Sequence, residues 1–337
     1  MADIGIDLGT ATVIVYDSAK GIVLTEPSVV AINTSTNQVL SVGEDAFKMI
    51  GRTPDRIRAI RPLSDGVISD IDMTEQMLKY FLKKVCGGSM VKPRVAICVP
   101  SGITGVESRA CVNAAVSAGA RKVYLIEEPV AAALGAGIDI SQPRGHIILD
   151  IGGGTSDIAV LSLSGIVCKT SLKIAGNKFD EAIIKYMRLQ KNILIGEKMA
   201  EKIKIGVGSV CFEEDENITM EAKGRNLVTG LPQKFEVSRA EIYEVLLEPV
   251  SAIIAALQQI LEITPPELSA DIFENGLIMT GGGAMLHGLD RLVTKHTKIG
   301  ARLAEDPVSC VAIGTGKSFQ YLDSLFDGFV TPSTHIH

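Results

Sequence analysis

Short apolar runs alternate with amphipathic stretches along almost the whole chain. Ile4-Gly5-Ile6 and Val13-Ile14-Val15-Tyr16 read as the strands of a hairpin. Val29-Val30-Ala31-Ile32 and Val39-Leu40-Ser41-Val42 read as a second pair, joined by the polar turn Asn33 to Gln38. The period then lengthens: Met77, Leu78, Phe81, Leu82 and Val85 share one face of a helix over about 73–85, which Gly87-Gly88 ends. Val95-Ala96-Ile97-Cys98-Val99 is a buried strand stopped by Pro100, and Thr104-Gly105-Val106-Glu107 is a capping box for a helix to about Ala118. Val123 to Ile126 is the next strand, and Pro129 sits in the first turn of the helix after it.

The second half begins near Ile147-Ile148-Leu149. It predicts helices near 179–193 and 197–205, a charged, less apolar stretch from Glu213 to Lys234, and a long helix over about 239–262 that Pro249 could kink. That helix opens on the capping box Ser238-Arg239-Ala240-Glu241 and is closed by Thr264-Pro265-Pro266. Strand Leu277-Ile278-Met279, turn Gly281-Gly282-Gly283 and a short helix follow, and residues 327–337 are expected to be a disordered tail.

The two halves repeat one another. Ile6-Asp7-Leu8-Gly9-Thr10-Ala11-Thr12 has Gly21-Ile22-Val23 further on; Leu149-Asp150-Ile151-Gly152-Gly153-Gly154-Thr155 has Gly165-Ile166-Val167 further on. Each copy is an apolar strand ending in Asp, a Gly-rich turn, a Thr five residues after the Asp, and a strand leading to Gly-Ile-Val.

Composition narrows the class. A chain of 337 residues exceeds one ordinary core, so two lobes are expected. Trp is absent and aromatics are 4%, so Val, Ile, Leu and Ala build the core, as in α/β proteins with buried parallel strands. The net charge of −6 and the lack of Lys/Arg runs disfavour nucleic acid as a partner. Six cysteines without a CxxC pair or a nearby His read as free thiols of a reducing cytoplasm. No signal peptide is expected, and no apolar run reaches the ~18 residues needed to span a bilayer.

Chemistry concentrates in the Gly-rich turns. Glycines let backbone N–H groups approach an anion, and Thr10, Thr12 and Thr155 add hydroxyl donors. An Asp at each strand end suits Mg²⁺ held between carboxylate and phosphate, usually through water. A tight β-turn needing Gly for geometry alone is the alternative for either copy taken singly. Gly281-Gly282-Gly283 is a third such turn, weak alone. Glu201 and Lys204 share a helical face that could bind a ribose or simply face solvent. Glu127-Glu128-Pro129 at a strand end could place a carboxylate on an attacking water or complement a helix N-terminus, and the residues alone do not choose.

These segments resemble a known family, the bacterial actin homologues of the MreB type, including MreB-like paralogues. The resemblance covers about residues 3–320. It rests on Asp3 to Ala11, Glu26 to Val30, Ala59-Ile60-Arg61-Pro62-Leu63, Asp65-Gly66-Val67-Ile68, Ile126 to Pro129, Asp150 to Thr155, Thr264 to Leu268 and Thr280 to Gly283. It implies an actin-like α/β ATPase fold, a ribonuclease H-like unit duplicated around a nucleotide cleft. The first lobe would be 1–143 with a returning helix at about 313–326 and a small insertion at about 32–72; the second would be 144–312 with a small subdomain at about 179–240.

The resemblance also implies ATP and Mg²⁺ as ligands. Asp7 and Asp150 would face the metal, and Glu128 with Asp150 would be catalytic. Thr10, Ala11, Thr12, Gly152, Gly153, Gly154 and Thr155 would clamp the phosphates. Glu201, Lys202 and Lys204 would lie near the nucleoside, and Gly281, Gly282, Gly283, Ala284 and Met285 near the adenine. The implied partners are further copies of the chain in filaments of paired protofilaments, the inner face of the cytoplasmic membrane, and cell-wall elongation proteins.

Three departures from the family pattern stand out. Thr12-Val13 replaces the usual Asn and Thr. The N-terminal amphipathic helix of some members is not expected here. The apolar membrane loop is reduced to Ser89-Met90-Val91, leaving Met90 and Val91 as the expected contact. An actin-fold chaperone would need a peptide-binding domain after residue 320, and a sugar or acetate kinase would need an acceptor site that no segment suggests.

Overall fold

The computed structural model describes residues 3–87, 91–212, 217–322 and 329–330. The first half opens on a three-strand meander, β1 (Asp3–Leu8), β2 (Thr12–Asp17) and β3 (Gly21–Pro27), and inserts β4 (Val30–Asn33), β5 (Val39–Val42), α1 (Glu44–Met49), β6 (Ile57–Ile60), β7 (Leu63–Ser64) and β8 (Val67–Ile68). It closes with α2 (Ile71–Cys86), β9 (Arg94–Val99), α3 (Gly105–Ser117), β10 (Lys122–Glu127) and α4 (Glu128–Gly135). The second half repeats the plan with β11 (His146–Ile151), β12 (Ser156–Ser162) and β13 (Gly165–Leu172). Its own insertion is α5 (Gly176–Gln190), β14 (Ile193–Leu194), α6 (Glu197–Val207), β15 (Thr219–Asn226) and β16 (Pro232–Ser238). It ends with α7 (Arg239–Ile263), α8 (Pro266–Asn275), β17 (Leu277–Thr280), α9 (Leu289–Thr297), β18 (Ala301–Leu303), α10 (Cys310–Lys317) and the two-residue β19 (Phe329–Val330).

The sheets carry the duplication. One runs β19-β10-β9-β1-β2-β3 and the other β13-β12-β11-β17-β18. In each, an antiparallel meander is followed by two parallel strands, so β1, β9 and β10 correspond to β11, β17 and β18. Both meanders carry an irregularity between their second and third strands, at Val15/Tyr16 in the first and, two residues further along, at Val160/Leu161 in the second. Parallel central strands are covered on both faces, which explains their near-continuous apolar sequences.

α4 and α10 cross in backbone contact between the sheets. A Cβ on Gly135 would fall 1.8 Å from Cys310 O, and one on Gly314 would fall 1.7 Å from Ala131 O. α10 also lies on the first sheet, where a Cβ on Gly5 would meet Gly316 N at 2.4 Å. The helix that returns to the first half thus spans 310–317, followed by a 3-10 turn at Ser318–Tyr321. Of the segment 327–337 expected as a tail, Phe329–Val330 pair antiparallel with β10, and 327–328 and 331–337 lie outside the described residues.

Local differences from the sequence reading have physical causes. α5 starts at Gly176 instead of near 179, because the Gly176 and Asn177 N–H groups are taken up by Gly152 O (3.1 Å) and Gly153 O (2.8 Å). The stretch 213–234 contains β15 and leads into β16, a hairpin hidden because each strand buries little: Ala222 and Val237 are its buried apolar residues. α7 runs through Pro249 as one helix. It is long and apolar enough to cross a bilayer, yet Leu246, Val250, Ile253 and Leu257 are fully buried in the second core.

Candidate nucleotide cleft

The Gly-rich turns meet at the C-terminal ends of the parallel strands, where open α/β sheets bind ligands. The first turn, between β1 and β2, abuts the second, between β11 and β12. A Cβ on Gly153 would lie 2.7 Å from that of Ala11, and one on Gly154 would lie 2.5 Å from Thr10 Oγ1. Thr10 Oγ1 accepts the Gly66 N–H at 2.9 Å, and the Thr155 methyl would be 2.7 Å from a Cβ on Gly66. Asp65-Gly66 is a two-residue hairpin turn with φ of 50° and 77°, the conformation this pair favours. It plugs the junction of the two turns, a role the sequence reading did not assign to Gly66.

Thr12 begins β2 opposite Pro27, and Gly152 N–H is bonded to Thr155 O at 2.9 Å, which closes the second turn. The third turn backs onto the same strand end. Gly281 has φ of 84°, and a Cβ there would fall 2.2 Å from Ile151 O; one on Gly283 would meet the Ile151 side chain at 2.5 Å. Gly282 to Met285 form a 3-10 turn in which Ala284 is buried and Met285 exposed.

Four acids converge below the turns. Cys98 Sγ donates to Asp7 Oδ1 at 3.3 Å, and Thr280 Oγ1 donates to Asp150 Oδ1 at 2.6 Å. Asp157 stands directly across the β11–β12 ladder from Asp150, and its Oδ1 accepts the Ser101 N–H at 2.8 Å. Glu128, buried in the first turn of α4, is the fourth. Neighbouring Glu127 is bound by Lys169, whose Nζ donates at 2.6 and 2.7 Å, so the Glu127-Glu128 pair has divided roles.

Burial pushes Asp7 up to about 6, opposed by the Cys98 bond. Burial pushes Asp150 up to about 7, opposed by the Thr280 hydroxyl and reinforced by Asp157 and Asp7. Glu128 is raised well above the usual carboxylate range, by burial first and then by the charges of Asp157, Asp150 and Asp7. Acids raised in the folded state bind more protons there than in the unfolded chain between roughly pH 4 and 7, so ligand-free stability falls as pH rises through that window. Without nucleotide or Mg²⁺, the protein is expected to melt at a higher temperature near pH 6 than near pH 7.5, by on the order of 1–3 kcal/mol. Asp180, pushed up to about 6 by burial, works in the same sense, and His146, lowered by burial, works against it. Calorimetry showing equal or lower stability near pH 6 would contradict this.

Among the described residues no group of three or more ligating side chains is placed to hold a metal. Two hard carboxylates, Asp7 and Asp150, fit a cation completed by water and phosphate.

The nucleoside candidates are less uniform. Lys204 is committed to Gly176 O (3.1 Å) and Asp180 Oδ2 (3.0 Å), which ties α6 to the start of α5 under the second turn. Glu201 and Lys202 are exposed on α6. At the start of that helix the two insertions meet. Lys198 Nζ donates to Phe47 O and lies 4.1 Å from the Phe47 ring centroid. Arg61 stands 6.0 Å from the same ring and 3.9 Å from Glu197. Val91 is exposed in the loop before β9, at the end of that strand away from the cleft, and Met90 lies outside the described residues.

A family model described as MreB/Mbl protein matches residues 1–326. The chain belongs to the MreB/Mbl family. It is 51% identical over 324 residues to the cell shape-determining protein Mbl of Bacillus subtilis (strain 168), covering 96% of this chain and 97% of that protein. It is 50% identical over 327 residues to the cell shape-determining protein MreB of Escherichia coli (strain K12), covering 95% and 94%. Among solved structures it is similar to MreB5 of Spiroplasma citri bound to AMPPNP, at a TM-score of 0.90 and 40% identity over 95% of this chain and 96% of that one. The same protein bound to ADP gives 0.91. A MamK double helical filament, 22% identical with a TM-score of 0.81 over 95% of this chain and 99% of that one, shares the fold. The duplicated sheets are therefore an actin-like fold, and the family is one of cell shape-determining cytoskeletal proteins.

Proposed function

We propose that this MreB/Mbl-family chain binds ATP with Mg²⁺, hydrolyses it slowly, and polymerises into filaments that lie on the inner face of the cytoplasmic membrane. There the filaments organise cell-wall synthesis and rod shape. The observation that carries the reading is the meeting of two Gly-rich turns above four acids drawn from both halves, buried Glu128, Asp150 and Asp157 and half-buried Asp7. The AMPPNP and ADP bound by a 40%-identical relative support it.

In this reading Thr10, Ala11, Thr12, Gly152, Gly153, Gly154 and Thr155 hold the phosphates, and their backbone amides supply most of the donors. Asp7 and Asp150 hold Mg²⁺ through water, and the metal neutralises phosphate charge when bound. Glu128 orients the attacking water, its carboxyl held at the cleft wall by the first turn of α4. Glu201, Lys202 and the turn Gly281 to Met285 border the nucleoside, with Lys204 acting through its bonds to α5. Phosphate release from Mg·ATP tests the enzymatic half: a rate no higher than that of an Asp150→Ala control would overturn it.

The Phe47–Lys198 and Arg61–Glu197 contacts join the insertions across the cleft mouth, so nucleotide exchange requires them to part. Lys198→Ala is expected to speed release of a fluorescent ADP analogue about 3- to 10-fold, since desolvated cation–π and hydrogen-bond contacts contribute ~1 kcal/mol or more; an unchanged rate would contradict this. Met90 and Val91 bury little apolar area, so one subunit binds lipid weakly and a filament binds through many such contacts. Replacing both with Ser is expected to lower liposome co-sedimentation of filaments, and unchanged binding would move the membrane contact elsewhere.

A further inference from the structure

The duplication allows each residue to be compared with its counterpart, and two buried acids stand where the counterparts are ordinary. Asp157 lies opposite Asp150 as Ile14 lies opposite Asp7. Ile14 is an apolar core residue at 2% exposure; Asp157 is 0% exposed. Glu128-Pro129-Val130 at the start of α4 reappears as Asp306-Pro307-Val308 just before α10. Asp306 is exposed and accepts the Ser309 N–H at 3.3 Å, a capping contact, whereas Glu128 is buried. The fold therefore requires a buried acid at neither position, and a buried carboxylate in a strand is costly.

Asp157 has one anchor in the first half's backbone, with the Ser171, Thr155 and Glu128 side chains beside it. Its Oδ1 takes the Ser101 N–H in the turn after β9, a bond that crosses from the second half to the first. Its Oδ2 is buried without a well-aligned donor, as is Ser101 Oγ. The Glu128 carboxyl is within hydrogen-bonding reach of the Asp157 side chain.

We propose that Asp157 is a positioning residue for ATP hydrolysis: held by Ser101, it sets the orientation of the Glu128 carboxyl and ties that orientation to contact between the two halves. Separation of the halves breaks the Ser101 bond and leaves Glu128 without its guide, so hydrolysis follows closure. The inference rests on the reading of Glu128 as the residue that addresses the water.

The test uses the full chain with Asp157→Ile, the counterpart's own residue type, and Asp157→Asn, which keeps an acceptor for Ser101. Asp157→Ile is expected to bind a fluorescent ATP analogue within about 2-fold of the parent, with no loss of melting temperature, and to slow single-turnover phosphate release about 10-fold or more. Asp157→Asn should fall between the two. Combined with Glu128→Ala, Asp157→Ile should add little further slowing, because the two act as a unit. Parent-like phosphate release in Asp157→Ile overturns the proposal, as does a proportional loss of binding and turnover or a collapse in stability of both variants. Full activity of Glu128→Ala alone would instead sink the Glu128 assignment, and this inference with it.

Discussion

Glu128→Ala slows phosphate release from Mg·ATP about 10- to 100-fold while leaving ATP affinity within about 2-fold, the signature of a group that acts after binding. Three features give the expectation its size. Glu128 is buried at the cleft wall, in the first turn of a helix whose Pro129 fixes the entry geometry. Its neighbour Glu127 is neutralised by Lys169 and is not available to substitute for it. The Gly-rich turns do not depend on Glu128 for their conformation, being closed by their own hydrogen bonds and by Gly66. Quench-flow phosphate detection beside equilibrium binding checks this, and equal losses in both would reassign Glu128 to ground-state binding.

The second large effect is structural. Gly314→Ala puts a methyl 1.7 Å from Ala131 O and 2.8 Å from Gly135 N. The obstructing atoms are backbone, so no side-chain rotation relieves the clash, and the helices α4 and α10 must move apart. Overpacking of this kind costs ~3 kcal/mol or more. Because α4 carries Glu128 and α10 lies on β1, the same displacement disturbs the cleft, so ATP affinity should fall with stability. Gly105→Ala, at a position where a Cβ meets open space, serves as the control and should stay within ~0.5 kcal/mol. A Gly314→Ala protein as stable as the parent would mean that the helix crossing is looser than described.

Much of the architecture was legible because the fold is written twice. The Asp-Gly-Thr turns and the Gly-Ile-Val strands mark matching positions, and the buried parallel strands announce themselves as apolar runs such as Val95 to Val99. The elements that escaped are those whose stability comes from elsewhere. β15 and β16 turn only Met220, Ala222, Phe235 and Val237 toward the core and are otherwise polar, so they are held by their ladder and by the helices beneath them. α5 gains a turn from carbonyls of the second Gly-rich turn, a tertiary partner that no local pattern reveals.

The site followed the same rule. Residues that need a special backbone, such as Gly153, Gly154 and Gly281, are visible as glycines. Gly66 was visible in the Asp-Gly pair, but its target, Thr10 Oγ1, lies 56 positions away in the chain. Asp157 had a signal: the repeat places Ile14 opposite Asp7 and an acid opposite Asp150, and that mismatch in an otherwise matched pattern marks a position serving something besides packing. Lys204 corrects the picture in part, because spacing on a helical face does not show that Asp180 and Gly176 O already occupy its ammonium.

The central claim is that the cleft switches a polymer, and sedimentation of the full chain across a concentration series with Mg·ATP, Mg·ADP or no nucleotide tests it most directly. The account predicts a threshold concentration above which Mg·ATP protein pellets as filaments visible by electron microscopy, with less or none in the other two states. Absence of nucleotide-dependent pelleting at every concentration, with ATP bound and the chain folded, would contradict it.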